Sequence, residues 1–156
     1  MIGHDDENEE VHYKVADKRK FNADGSGNWI ELAISNAAVA AYAGYKFTEQ
    51  ADIVINARLA ADAVGATKMD RPEWNGVNPA NGEVYFTLTN NSNRRAEPSG
   101  SSQSAPDGPN PRAYSDVKGS ATQLGNVNGH ILRIKDASNA GTGFTWDVYL
   151  FGAEST

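Results

Sequence analysis

Residues Met69–Asn91 read MDRPEWNGVNPANGEVYFTLTNN. The second half explains itself. Asn81-Gly82 is a strong turn signal, and Glu83–Thr89 alternates behind it, with Val84, Phe86 and Leu88 on one face, as a half-buried strand does. The first half sets Asp70, Arg71, Glu73 and Trp74 around Pro72. Proline holds its own φ at about −65° and disfavours helical backbone in the residue before it, so Arg71 is expected to be extended. Residues two apart in an extended segment project to the same side. Arg71 and Glu73 are therefore expected to point together, guanidinium beside carboxylate. Such a pair suits a phosphate-and-metal site, with paired donors for phosphate oxygens and a carboxylate for a hard cation. It also suits a surface ion pair at the mouth of a strand.

Outward from this stretch the chain reads as short strands joined by local turns. Val11, Tyr13 and Val15 alternate with His12 and Lys14 as a strand. Ala23–Asn28 reads as a turn and Trp29–Ile34 as the strand after it. Ser35–Phe47 has no clear period and reads as loop or short helix. Thr48–Val64 carries helical spacing at Ile53, Ala57, Ala60, Ala61 and Val64, with Gly65 as its stop. Ser92–Asn128 is rich in Ser, Gly, Pro, Asn and Asp and reads as one long polar loop, of the kind that is usually functional or disordered. His130–Ile134 and Phe144–Phe151 then form a hairpin across Asp136–Gly143. The predicted fold is mostly β with one helix, in antiparallel meanders that suit propeller blades. A blade takes roughly 40–45 residues and a ring needs at least about four blades. A chain of 156 residues is thus expected to be a single partial propeller segment over 1–156, not closed, with 92–128 as a long loop within it.

Composition narrows the function classes. A net charge of −6 argues against nucleic acid, which needs clustered Lys and Arg. The same acidity suits hard cations that take oxygen ligands. With no cysteine, disulfides, zinc ribbons and thiol nucleophiles are excluded within this sequence. No apolar run reaches the roughly 18–20 residues of a membrane span, so no membrane is expected as partner. The start, MIGHDDENEEVHYKV, is acidic and has no apolar h-region, so it does not read as a secretory signal. No Walker loop, Gly-x-Ser-x-Gly elbow, HExxH helix or local EF-hand loop is present.

Several motifs together resemble one family. They are Gly3-His4-Asp5-Asp6-Glu7 with Tyr13-Lys14, Phe21–Trp29, Gln50-Ala51-Asp52 with Ala57–Asp62, and Gly65–Trp74. Further along come Asn78-Pro79, Gly82–Tyr85, Thr87–Asn91, Asn110-Pro111-Arg112, Gly129-His130-Ile131 and Thr145-Trp146-Asp147. In this order they resemble the PhoX-type alkaline phosphatases, calcium- and iron-dependent bacterial enzymes built on a β-propeller. There are two departures. The segment between Val15 and Phe21 looks shorter than the family pattern. The family protein is also several times longer, and its iron-bridging cysteine has no counterpart here.

The resemblance implies roles for particular residues. Arg71 resembles the family's phosphate-binding arginine and Glu73 its metal carboxylate, which makes both candidate catalytic residues. Glu7 looks like a further metal ligand; alone, the Asp5-Asp6-Glu7 run would read as solvated charge. Asp6 and Asn91 would support the ligands, although Asn90-Asn91 could simply end a strand. His130 reads as a structural histidine. Trp29, Trp74 and Trp146 lie in strand patterns, where core packing is a plainer reading than stacking platforms for sugars. The implied function is a segment of a PhoX-like secreted phosphatase that hydrolyses phosphate monoesters at a calcium/iron centre, inactive as an isolated fragment. Its implied location is periplasmic or extracellular. The alternative is a non-catalytic truncated propeller segment that binds calcium or self-associates through exposed blade edges.

Overall fold

The computed structural model describes residues 19–136 and 141–152, which excludes the expected strand at Val11–Val15. The chain divides into two units, one holding Glu31–Gly65 and the other holding Arg19–Ile30 and the chain from Ala66 onward.

The second unit is a sheet. Its strands are β1 (Arg19–Phe21), β2 (Ser26–Trp29), β3 (Pro72–Val77), β4 (Val84–Leu88), β7 (His130–Asp136) and β8 (Gly143–Phe151), with β5 (Tyr114–Lys118) and β6 (Ala121–Gly125) between them in the chain. The six pair in the order β1-β2-β8-β7-β4-β3, every neighbour antiparallel, while β5 and β6 form a separate two-stranded sheet. Hairpins between chain neighbours supply the local pairs. The longer-range pairs β2–β8 and β4–β7 join those hairpins into one surface, which does not close on itself.

The opening stretch is therefore the hairpin β3–β4. Its turn closes through the Gly82 N–H on the Asn78 carbonyl at 2.8 Å, with Gly82 at φ +72°, where a side chain would be strained. Leu88 is buried and Phe86 packs beside the core formed by Phe21, Leu88, Leu132, Ile134 and Phe144. The expected face of β4 is thus the one that packs. Phe144 stands edge-on to Phe21 with centroids 5.1 Å apart. Trp29 and Trp146 pack against this cluster, whereas Trp74 on the edge strand β3 is 68% exposed.

Two expectations about strands are corrected. β2 begins at Ser26 rather than Trp29 because the Asp24 carboxylate takes the Ser26 N–H and hydroxyl, and this closes the turn early. Leu32 and Ile34 form no strand: the Gln50 amide donates to the Leu32 carbonyl and accepts the Ile34 N–H, meeting needs a sheet partner would otherwise meet. The stretch 92–128 is not one loop, since it holds the β5–β6 hairpin and the buried residues Arg94, Asn110 and Asn126.

The first unit has its own core of Leu32, Val39, Phe47, Ile53 and Ala60. Its helices are α1 (Ala37–Ala40), α2 (Gln50–Ile55) and α3 (Ala57–Ala63), so the single expected helix is corrected to three short ones. Asn36 caps α1 by accepting the Ala38 N–H. The helical pattern over 48–64 breaks at Asn56, whose side chain donates to the Asp52 carbonyl and to the Tyr45 hydroxyl. Gly65 ends α3 at φ +65°, as its position implies.

One close approach yields a test of the β core. A Cβ built on Gly27 would lie 2.1 Å from the Phe144 ring, which is packed on every side. Gly27→Ala is expected to cost about 1–3 kcal/mol by overpacking, and Phe144→Leu in the same chain should recover part of that loss. Urea unfolding of the two single variants and the double variant measures the coupling. Additive losses would show that the contact does not limit stability.

Candidate functional site

Pro72 opens β3, and the residue before it departs from expectation. Arg71 has φ +46°, the only positive φ at a non-glycine among the described residues. The expected extended backbone is thus corrected to a left-handed one, a conformation that costs roughly 1–2 kcal/mol for an ordinary side chain. Hydrogen bonds on both sides impose it. The Arg71 N–H donates to the Met69 carbonyl at 3.0 Å, and the Arg71 carbonyl accepts the Thr89 N–H at 3.2 Å and the Thr89 hydroxyl at 3.3 Å.

Arg71 and Glu73 meet nonetheless, by another route. Pairing steps from Pro72↔Leu88 to Trp74↔Thr87, so Glu73 is the extra residue of a β-bulge. Arg71 Nη2 lies 3.6 Å from Glu73 Oε1, and Arg71 Nη1 donates to Asn90 Oδ1 at 3.0 Å. The Thr89 hydroxyl lies 3.5 Å from Glu73 Oε1. The two side chains are 60% and 52% exposed, so the ion pair itself adds about 0–1 kcal/mol. Its groups face solvent, where a ligand can reach them.

Directly behind this exposed pair lies a buried polar hub. Asp70 is fully buried, and Arg94 beside it is 3% exposed. Asp70 Oδ1 accepts from Arg94 Nε at 3.0 Å, Arg94 Nη2 at 2.8 Å and Asn91 Nδ2 at 2.6 Å, while Oδ2 accepts from Asn126 Nδ2 at 3.1 Å. Arg94 Nη1 donates to the Ala105 carbonyl at 2.6 Å. Asn110 clasps the backbone: its Oδ1 accepts the Asp70 N–H at 2.8 Å, and its Nδ2 donates to the Lys68 carbonyl at 3.0 Å. A charge buried this deeply is tolerated only when paired and hydrogen-bonded, and both conditions hold.

His130, the first residue of β7, completes the hub. Its Nε2 lies 2.7 Å from the Pro109 carbonyl, which can only accept, so Nε2 carries the proton. Nδ1 then accepts from Asn126 Nδ2 at 2.9 Å. Burial pushes the pKa of this neutral imidazole below the usual value, outweighing the Pro109 hydrogen bond and the Asp70 charge that raise it. The expectation of a structural histidine agrees with this geometry. Sequence reasoning missed Asp70, Arg94, Asn110 and Asn126 as a group.

Asn91 sits in the hub rather than in the exposed pair, while Asn90 holds the Arg71 guanidinium. Glu7 and Asp6 lie outside the described residues. Among the described residues no three His, Cys, Asp or Glu side chains gather as a metal site. Glu73 is an accessible carboxylate of the type hard cations take, but one carboxylate is not a coordination shell. Asn90 also lines a cavity of about 310 Å³ with Ser92, Arg95, Thr122 and Gln123.

The lowered pKa of His130 gives a pH test. The unfolded imidazole titrates at its ordinary 6.5, and the folded one titrates lower. Stability from the neutral ring is thus complete above about pH 6.5 and falls as pH drops toward the folded pKa, by at most about 1.4 kcal/mol per pH unit. Melting temperatures between pH 8 and 5 should fall on the acid side. His130→Gln should flatten that slope, and an unchanged slope in the variant would assign it to other groups.

Comparison with known proteins bears on what this arrangement serves. The family model described as alkaline phosphatase PhoX matches residues 8–156. Among solved structures, Pseudomonas fluorescens PhoX in complex with vanadate, a transition state analogue, is 41% identical with a TM-score of 0.57, covering 85% of this chain and 20% of that one. No curated protein matches. The open antiparallel sheets are accordingly those of a propeller-type fold. The chain belongs to the PhoX alkaline phosphatase family.

Proposed function

We propose that this segment carries the phosphate-binding edge of a secreted PhoX phosphomonoesterase. The supporting observation is the exposed Arg71–Glu73 pair set on a rigid buried base. In this reading Arg71 offers paired N–H donors to two phosphoryl oxygens and stabilises charge that grows there during transfer. Glu73 serves as a metal ligand, joined by Glu7 from the acidic motif near the start of the chain, with Asp6 and Asn91 in support. The family resemblance makes the cations calcium and iron, which when bound neutralise charge on the phosphoryl oxygens. Asn90 steers the Arg71 guanidinium and Thr89 lies against the Glu73 carboxylate, so both groups of the pair are aimed. Asn90, Ser92 and Gln123 of the neighbouring cavity offer polar groups to the alcohol side of a phosphate ester. A periplasmic or extracellular location rests on the family alone; no helix among the described residues is long and apolar enough to cross a membrane.

A second reading, a non-catalytic segment that pairs with other chains, draws on the edge strand β3, where Trp74 and Val77 are exposed. The chain covers 20% of its structural neighbour, and one described carboxylate cannot hold a metal cluster. Residues 1–156 alone are therefore expected to hydrolyse p-nitrophenyl phosphate no faster than background with Ca²⁺ and iron supplied. Turnover by the purified chain would overturn the expectation that it is inactive alone.

The site assignment is tested in a chimaera, with this segment replacing the matching one in a full-length family phosphatase. Glu73→Gln keeps shape but removes the charge a hard cation needs, so bound metal and activity should be lost together. Arg71→Lys keeps charge but loses the bidentate fork, so metal should stay while the rate falls by about 10²–10³, or roughly 2–4 kcal/mol. Metal analysis beside steady-state kinetics separates the two. Normal metal content and rates in both variants would reduce the pair to a surface ion pair and favour the second reading.

A further inference from the structure

We propose that Asp70 is a positioning residue for the Arg71–Glu73 pair: its buried carboxylate fixes the left-handed turn that presents both groups on one side. The catalytic meaning of this step rests on the proposed phosphate-binding role of Arg71, whereas the geometric claim does not.

The segment 68–71 is held at successive points. Asn110 takes the Lys68 carbonyl and the Asp70 N–H, and the Asp70 carboxylate is tied by Arg94, Asn91 and Asn126. Beyond it, the Arg71 carbonyl is fixed on Thr89. Asp70 and Arg71 also meet neighbouring residues across the gap, since Asn91 binds the Asp70 carboxylate while Asn90 binds the Arg71 guanidinium. The inward side chain and the outward one are thus two rungs of one ladder.

Free of that anchor, a residue before proline prefers extended backbone. The observed φ of +46° is the exception among the described non-glycine residues, and it belongs to the residue directly after the most heavily bonded buried carboxylate. Strained backbone persists only where its surroundings over-determine it, and here the bonds of the Asp70 carboxylate add to those that Arg71 makes with Met69 and Thr89. A polar hub serving stability alone has no need of the residue next to it being left-handed.

The test uses the 156-residue chain in solution, with NMR reporting two things separately. Amide shifts of β4, β7 and β8 report the sheet; the Arg71 HN–Hα coupling and the exchange of its guanidinium protons report the turn. In Asp70→Asn the charge that pairs Arg94 is lost, and one acceptor becomes a donor facing either Arg94 and Asn91 or Asn126, so the carboxylate's set of bonds is broken. The expected result is an intact sheet with the left-handed signature of Arg71 lost and its guanidinium exchanging freely. Should Asp70→Asn fail to fold, Asp70→Asn combined with Arg94→Gln removes the carboxylate without leaving a buried guanidinium unpaired, and is read the same way. An intact sheet with Arg71 unchanged in the readable variant overturns the proposal. Loss of the sheet in both variants overturns it too, because the hub is then only a stability element.

In the chimaera, Asp70→Asn should weaken inhibition by vanadate on the order of 10²-fold, the size of loss in rate that a misplacement of about 1 Å brings. Unweakened inhibition there would overturn the positioning role. If instead Arg71→Lys leaves vanadate inhibition intact, the phosphate reading fails while the NMR result for Asp70 stands.

Discussion

The buried ion pair between Asp70 and Arg94 is the constraint on which the rest of the sheet unit's polar architecture depends. Two charges at 0% and 3% exposure would each be strongly disfavoured if unpaired, and removing one partner of such a pair typically costs about 3–5 kcal/mol. Every other member of the hub can be understood as meeting a need this pair creates. Asn91 and Asn126 fill the remaining acceptor sites of Asp70, and the Ala105 carbonyl takes a further donor of Arg94. His130 stays neutral and occupies the second donor of the Asn126 amide. The same pair explains how a segment as polar as Ser92–Asn128 holds a definite shape. Apolar burial there is confined largely to Val127, so hydrogen bonds to buried charge take the place of a hydrophobic anchor.

How much of this is legible in the sequence depends on the distance over which each feature is decided. The alternation of Val84, Phe86 and Leu88 is local, and β4 forms where that pattern stands, with Leu88 inward. The hairpin of β7 and β8 is equally local, and Gly65 stops a helix as its type suggests. Side chains that bond the backbone two to four residues away upset finer boundaries. Asn56 competes for the Asp52 carbonyl and splits the helix, while Asp24 closes a turn early and shifts β2. The hub as a group is out of reach, although Asn91 and His130 stand out singly. Its contacts to Asp70 come from residues 21, 24, 40 and 56 positions away, and single Asn and Arg residues in a polar stretch carry no period to mark them.

The candidate site shows the same division. The meeting of Arg71 and Glu73 is legible in their spacing about Pro72, but by way of an extended Arg71. The pre-proline preference is a local term, worth on the order of one or two kcal/mol against a left-handed residue. Several tertiary hydrogen bonds at Asp70 and Thr89 oppose it. The two groups come together through a left-handed residue and a bulge instead. A correct pairing on the wrong backbone arises because residue types are written locally, whereas long-range contacts set the angles.

Exposure and rigidity are usually opposed at a protein surface, because an exposed arginine has many rotamers to lose when it binds. Here the opposition is relieved by placing the ordered elements one residue inward. Arg71 remains largely in solvent, yet its backbone is fixed by a buried neighbour and its guanidinium is steered by Asn90 and Glu73. In the proposed role of Arg71, a phosphate arriving there would meet a guanidinium already aimed, so less of its binding energy would be lost to ordering the side chain. The surface pair contributes little to stability, and the buried pair has no access to ligand. Joined through one peptide bond, each supplies what the other lacks.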